Sequence, residues 1–318
     1  MTVSTGPAYR VPRRVAVISA GPAALRLIEE GQAGGAPLHG TVLAAFRRSA
    51  YLSFGADALV CIGRRLLGNG PLNVVCDAEA GFLTGLVQDE PVSADTDGLQ
   101  LPGGRSLLFA RARQWNPPAL PPPTAWRPRA DILSVLADRI SRFPRQDGLG
   151  PLIAPLCTGP ESLTAPTTGD RHLLAAAVPA IVRLLAWLDE SARDETASPA
   201  PVSRLIGLGP GLTPSGDDFL IGLLVGLHGL GRKRLAGALA ASVRIASVEG
   251  TGMISRAHLL AACDGLGAEA LHRALAALVA CDVPAFDRAL VRLDDTGHSS
   301  GRDALAGLAA CLATVGDG

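Results

Sequence analysis

The spacing of apolar residues changes once along this chain, and a proline-rich passage marks the change. Before it, from about residue 12 to 116, apolar runs are short and are separated by turn sequences such as Gly68-Asn69-Gly70-Pro71 and Asp97-Gly98. This pattern predicts a small, mainly β domain over residues 1–116, either a barrel or a sandwich. One helical excursion is expected near Pro22 to Glu30.

Beyond the passage, apolar residues recur at three- and four-residue spacing among many alanines, which is typical of α-helices. The prolines themselves predict an extended linker over residues 117–129, and residues 202–208 read as a short strand or an extended lead-in. The chain is therefore expected to be an α+β protein with a helical domain over residues 130–318. Its predicted helices lie near residues 130–142, 171–190, 217–229, 232–248, 254–263, 267–280, 283–293 and 302–315.

Composition narrows the class of protein. A hydrophobic content of 48% supports substantial cores, and 29 basic residues balance 29 acidic ones, so neither nucleic acid nor a membrane surface is an expected partner. Lys233 is the only lysine, which excludes a Walker-type phosphate loop. Six scattered cysteines without metal-ligand spacing predict buried thiols in a reducing cytoplasm. The apolar run VAVIS after Arg13-Arg14 is too short for an export signal.

The stretch GLGPGLTPSGDD, from Gly207 to Asp218, holds four glycines and two prolines and leads into an apolar helix. Glycine permits positive φ and close approach to the main chain, and a helix start offers unpaired N–H groups and a partial positive charge. The stretch therefore predicts an anion site. Its donors would be amides and hydroxyls of Gly209, Gly211, Thr213, Ser215 and Gly216.

The sequence of this helix start is repeated near the C-terminus. The pattern S-G-x-D-x-L-x-G-L occupies residues 215–223 and again residues 300–308. Each copy predicts a capping box, in which serine caps the helix and Asp218 or Asp303 reaches back to it. Glycines at matched positions inside both helices predict that the two helices pack closely, with their N-termini facing a shared site. Alternatively, the serines and aspartates of both copies only cap the helices and have no further function.

The two copies differ at one informative position, where Asp217 in the first corresponds to Arg302 in the second. Neither residue is needed for a cap. Asp217 is therefore predicted to be a general base, a substrate amide acceptor or a cation ligand, and Arg302 to bind a carboxylate or phosphate. Alternatively, the two residues pair with each other.

Two further segments carry candidate groups. His298, in the loop before the second copy, is predicted to shuttle protons, or else to be a solvent-facing loop residue. Thr251 and Ser255 precede another alanine-rich helix and could add hydroxyl donors to the site. A plain N-cap is the alternative for both hydroxyls.

At these residues the sequence becomes recognisable. The motifs LIGLGPGLTPSGDDFLIGLL, TGMISRAHLLAA and GHSSGRDALAGL resemble the bacterial oxamate carbamoyltransferase subunit family, and GTVLAAFRRSAYL, GNGPLNVV and ARQWNPP extend the resemblance into the N-terminal half. The resemblance implies a role in anaerobic allantoin degradation, a branch of purine catabolism. There, oxalurate and phosphate give oxamate and carbamoyl phosphate. It also implies partner subunits, one of them similar to an acyl-CoA synthetase.

These considerations predict a cytoplasmic transferase subunit with Asp217 and His298 as catalytic residues. No cofactor and no metal ligand are predicted; phosphate or carbamoyl phosphate would be a substrate, and a divalent cation remains possible. The predicted substrate-binding residues are Gly209, Gly211, Thr213, Ser215, Gly216, Asp218, Ser255, Ser299, Ser300, Gly301, Arg302 and Asp303.

Two other functions remain open at the level of sequence. The first is a non-catalytic assembly or small-anion-binding subunit of a multi-subunit acyl or carbamoyl transferase. The second is a metal-assisted hydrolase that uses Asp217 and Asp218. Adjacent carboxylates point in different directions on a helix, which makes joint ligation of one ion awkward.

Overall fold

The computed structural model describes residues 14–33, 36–55, 58–164, 168–193 and 198–315. Arg13, the remainder of the N-terminus and part of the polar loop before the glycine-rich stretch lie outside the described residues. The chain divides into two compact units, Met1–Asn116 and Pro117–Gly318.

The N-terminal unit is a closed β-barrel. Its barrel strands follow the order β5-β4-β3-β2-β6-β7-β8-β1, and β1 closes the ring by pairing with β5. A short ninth strand extends β1 in parallel. The strands are β1 (Arg14–Ala20), β2 (Leu38–Ala45), β3 (Ser49–Ser53), β4 (Leu59–Arg64), β5 (Asn73–Cys76), β6 (Pro91–Ala94), β7 (Gly98–Leu101), β8 (Arg105–Leu108) and β9 (Arg113–Gln114).

The barrel explains the short, punctuated apolar runs, because each strand sends alternate side chains into one interior. Val42, Leu52, Ile62 and Leu107 are fully buried there. The barrel prediction is confirmed and the sandwich alternative is wrong. The expected helical excursion is also confirmed, as helix α1 (Pro22–Ala33).

The C-terminal unit is α-helical, and every predicted helix is present. The helices are α2 (Arg129–Arg142), α3 (Ile153–Thr158), α4 (Arg171–Arg193), α5 (Ser215–Gly229), α6 (Lys233–Gly250), α7 (Met253–Cys263), α8 (Glu269–Val279), α9 (Val283–Asp294) and α10 (Ser300–Val315). Helix α3 was not predicted, since its six residues show too little periodicity. Residues 202–208 form turns without a strand.

The residues between Pro117 and α2 contact this helical unit. Leu120 and Trp126 pack against its core, and the amide of Arg127 donates to the carbonyl of Val279 at 2.8 Å. Helix α4 is long and apolar enough by length and composition to cross a membrane, with a mean hydropathy of 1.5. More than half of its apolar window is buried inside the unit, as in the core helix of a soluble domain.

Helix α5 lies at the centre of the helical unit and packs backbone to backbone against α10. Every residue from Ser215 to Leu227 is buried. A side-chain carbon at Gly222 would collide with the carbonyl oxygen of Ala304, and one at Gly307 would collide with that of Phe219. These contacts are reciprocal. Gly222 of α5 meets α10 one turn after α10 begins, and Gly307 of α10 meets α5 one turn after α5 begins. The predicted close packing of the two repeated helices is confirmed.

Candidate functional site

The first of the two repeated helix starts does not form the expected capping box. Helix α5 is preceded by Pro214 in the N-cap position and has no side-chain cap hydrogen bond. The amides of Asp217 and Asp218 donate to the carbonyl of Pro214 instead. Capping as the role of Ser215 and Asp218 is therefore wrong, because the proline sets the entry of the chain without help from a side chain.

Asp218 lies at the start of α5 and is 6% exposed. The hydroxyls of Thr213 and Ser300 face its carboxyl and are 2.9 Å from each other. Burial raises the pKa of Asp218 well above its usual range, and the charge of Asp303 raises it further. Its Oδ2 is buried and has no hydrogen-bond partner among the described residues.

Asp303 holds the matching position on α10 and is fully buried. Its Oδ1 accepts a hydrogen bond from the amide of Leu149 at 2.5 Å. Gly148 has a φ of +56°, and a side chain there would collide with the Asp303 carboxyl, so the turn before α3 fits closely around this group. Burial raises the pKa of Asp303, while the Leu149 amide and the hydroxyls of Ser299 and Ser215 oppose the shift.

The carboxyl of each helix thus faces hydroxyls from the other copy. Asp218 of α5 faces Ser300 of α10, and Asp303 of α10 faces Ser215 of α5. Like Asp218 Oδ2, the Oδ2 of Asp303 is buried without a partner among the described residues. The repeat in the sequence is therefore a pseudo-symmetric arrangement around two buried carboxyls.

Asp217 points away from this pair and is fully buried. Its carboxylate accepts hydrogen bonds from the amide of Gly207 at 2.8 Å, from the hydroxyl of Ser255 at 2.7 Å and from the hydroxyl of Thr251. Burial raises its pKa, and these three donors oppose the shift. Asp217 therefore ties the glycine-rich loop and α7 to the start of α5.

The Asp217 contacts decide one of the alternatives. Helix α7 is preceded by Gly252 and has no side-chain cap hydrogen bond. The capping alternative for Thr251 and Ser255 is therefore wrong, because both hydroxyls donate to Asp217.

Arg302 lies within the second copy, and His298 lies two residues before it. Arg302 is 4% exposed and forms a bidentate ion pair with Asp294, with N–O distances of 2.6 and 2.9 Å. The alternative that Arg302 pairs with Asp217 is wrong. The His298 side chain is 87% exposed, and its Nε2 is 3.3 Å from Asp147 Oδ1.

The glycine-rich loop reaches the surface between Pro210 and Leu212. Gly209 and Gly211 have φ values of +114° and +98°, which side chains rarely adopt. The amide of Gly216 donates to the carbonyl of Leu208, and that of Gly301 to the carbonyl of Thr296. Both amides, which were predicted ligand donors, are thus engaged within the chain, whereas Thr213 and Ser300 are only half-buried.

Sequence reasoning missed Gly148 and Leu149. Leu149 lies 154 residues before Asp303, whose carboxyl it contacts. The only local signal was the Asp147-Gly148 dipeptide, which is typical of a turn. Among the described residues, no three His, Cys, Asp or Glu side chains are grouped to hold a metal ion. The cysteines are free and at least half-buried, as predicted, and burial raises the pKa of Cys61, Cys157 and Cys311 to about 12.

Fold and site define an α+β protein whose helical unit is built around two related helix starts that converge on buried carboxyls. Residues 205–312 match the family model described as oxamate carbamoyltransferase subunit AllH. The match supports, over this segment, the family that its motifs predicted. No curated protein and no solved structure matches the chain.

Proposed function

We propose that the chain is the subunit of an oxamate carbamoyltransferase-like enzyme that carries the transfer site, with oxalurate or a related ureido acid and phosphate as substrates. The observation that supports this most is the extent of the family match, which spans both repeated helix starts. The polar groups that the two starts bring together thus belong to the part of the chain that defines the family.

The reaction sets three requirements. A bond forms between a phosphate oxygen and the carbamoyl carbon, and the bond from that carbon to the nitrogen retained by oxamate breaks. One proton leaves phosphate and one is added to the departing nitrogen. The site must therefore hold phosphate, stabilise charge on the carbonyl oxygen and manage a proton.

We assign the anion to the surface formed by the loop 209–213 and the turn 298–300. The exposed Gly211, the half-buried Gly209 and the half-buried hydroxyls of Thr213 and Ser300 supply donors there. His298 is exposed beside Asp147 and remains the candidate for proton transfer. Asp217 is assigned a positioning role, because its three hydrogen bonds leave the carboxylate inside the domain.

The test reconstitutes the chain with its partner subunits, which we expect to include an acyl-CoA-synthetase-like protein of the cytoplasm. Oxalurate and phosphate are added, and carbamoyl phosphate is measured. His298→Ala should lower kcat by about 100-fold or more, the usual size of acid–base effects. His172→Ala, which removes another exposed histidine, should leave kcat unchanged.

The absence of carbamoyl phosphate in every combination of subunits would overturn the transferase assignment. A His298→Ala enzyme as active as the wild type would remove the histidine from the mechanism.

A second candidate is a non-catalytic assembly subunit. The engagement of Asp217 and Arg302 in internal contacts favours it, since both polar groups then serve the fold. This role predicts that the chain co-purifies with its partners yet shows no heat of binding with phosphate or oxalurate in calorimetry. Binding of either anion, weakened by Thr213→Val with Ser300→Ala, would decide for the transfer site.

A further inference from the structure

Two buried carboxyl oxygens have no hydrogen-bond partner in the part of the chain that the structure describes, and they belong to the paired residues of the two repeats. These are Oδ2 of Asp218 and Oδ2 of Asp303. Neither carboxyl has an ion pair within the described residues, and the buried arginine that precedes Asp303 in the sequence, Arg302, is bound to Asp294. Two ionised carboxylates buried in this way would be strongly destabilising.

A single proton relieves the repulsion. A protonated carboxyl gains one O–H donor and loses its charge, so one proton held by the pair leaves only one buried charge at the site. Like charges that share a site cannot both ionise at ordinary pH, and such pairs titrate together.

We propose that Asp218 and Asp303 hold one proton between them and act as the proton reserve of the site. Asp303 is the ionised member, because the Leu149 amide donates to it and the hydroxyls of Ser299 and Ser215 also face it. Asp218 is the protonated member.

The charged groups around the pair support this distribution. Asp218 faces Asp303 from α10 and lies near Asp217 of its own helix, and Asp303 faces Asp147 from the turn before α3. The charged groups that raise the two pKa values are thus all acidic. The nearest basic side chains of the second helix start face other carboxylates: Arg302 is bound to Asp294, and His298 lies beside Asp147. These surroundings favour retention of a proton.

The pair is linked to the loop surface by hydroxyls. Thr213 and Ser300 both face Asp218, their oxygens are 2.9 Å apart, and both residues are half-buried. A proton can therefore pass between Asp218 and the loop surface through hydroxyl groups. Only this use in catalysis depends on the proposed function; the shared proton does not.

The test is a titration of the full-length chain labelled with ¹³C at aspartate carboxyls and followed by NMR. In the wild type, one resonance should remain that of a protonated carboxyl at neutral pH. Asp218→Asn should abolish it, since asparagine resembles a protonated carboxyl but does not titrate. Asp303→Asn should lower the pH at which it titrates. Asp189→Asn, at an exposed ion pair, should leave it in place.

A second readout is the thermal midpoint as a function of pH. The pKa of Asp218 is higher in the folded state than in the unfolded state. The stabilisation that protonated Asp218 gives is therefore complete below the pKa of the unfolded state, and it is lost as pH rises through the pKa of the folded state. The wild type should therefore lose stability relative to Asp218→Asn as pH rises from the pKa of an unfolded aspartate towards the raised pKa of the folded state.

Ordinary titration of all carboxyls in the wild type would overturn the proposal. So would a tightly bound sodium, potassium or magnesium ion that keeps both carboxyls ionised, found by elemental analysis of the purified protein. Neither readout uses substrate. If the pair is protonated but the chain makes no carbamoyl phosphate, the shared proton stands and only the proposed function is overturned.

Discussion

At the scale of single residues, Asp217 is a carboxylate whose stabilising partners can be counted. It accepts hydrogen bonds from Gly207, Thr251 and Ser255 and is fully buried. Asp217→Asn replaces one acceptor oxygen by an N–H donor that faces two hydroxyls. We expect a loss of about 1–3 kcal/mol in the free energy of unfolding, measured by urea denaturation.

Asp189→Asn is the matched control, because that aspartate forms an exposed ion pair with Arg193 on α4. Such pairs contribute about 0–1 kcal/mol. If Asp217→Asn and Asp189→Asn were equally stable, the three hydrogen bonds to Asp217 would stabilise the fold no more than an exposed ion pair does.

The sequence identified Asp217 because the two copies of the repeat differ at that position. It could not show in which direction the side chain points. Three residues spread over 49 positions of the chain meet at this carboxylate, and only the folded helices bring them together. Arg302 illustrates the same limit. Its partner Asp294 is only 8 residues away, yet nothing in the local pattern separates that pairing from one with Asp217.

At the scale of elements, the contact between α5 and α10 depends on the absence of two side chains. Gly222→Ala would place a methyl group against the carbonyl of Ala304, which is backbone and cannot move aside. Overpacking of this kind costs about 1–3 kcal/mol, and the gain in helix propensity offsets only part of it. We expect a net loss of stability in thermal and urea unfolding.

Gly237→Ala is the matched control within the same unit. Gly237 lies inside α6, and a side chain there would meet nothing within 4 Å. The same substitution should therefore stabilise the protein by about 1 kcal/mol, from helix propensity alone. Effects of the same sign at both glycines would contradict close packing at Gly222.

Helices are the level at which sequence reasoning succeeded most fully. Periodicity located every long helix, and the repeated glycines predicted which two would pack. It failed at the helix starts, where Ser215 has the sequence of a cap but Pro214 occupies the position. The serine then faces Asp303, a contact across helices that no local rule anticipates.

At the scale of the whole molecule, each of the two units has a hydrophobic core of its own. One core fills the barrel and the other spans residues from Ile132 to Val315. The break in periodicity at the proline-rich passage predicted where one kind of architecture gives way to the other. Strand order and closure of the barrel depend on long-range pairing, such as β1 with β5, and were not accessible from the pattern.

Separate cores predict that residues 117–318 fold without the barrel. Trp126 and Trp187 lie in this segment, and their indole N–H groups donate to the carbonyls of Pro121 and Ser198. The isolated segment should show helical circular dichroism, native-like tryptophan fluorescence and a single cooperative urea transition. All partners of Asp217 are retained, so Asp217→Asn should cost the same free energy in the segment as in the full chain, within about 0.5 kcal/mol. A segment that unfolds without cooperativity, or in which the substitution has no effect, would show that the helical unit requires the barrel.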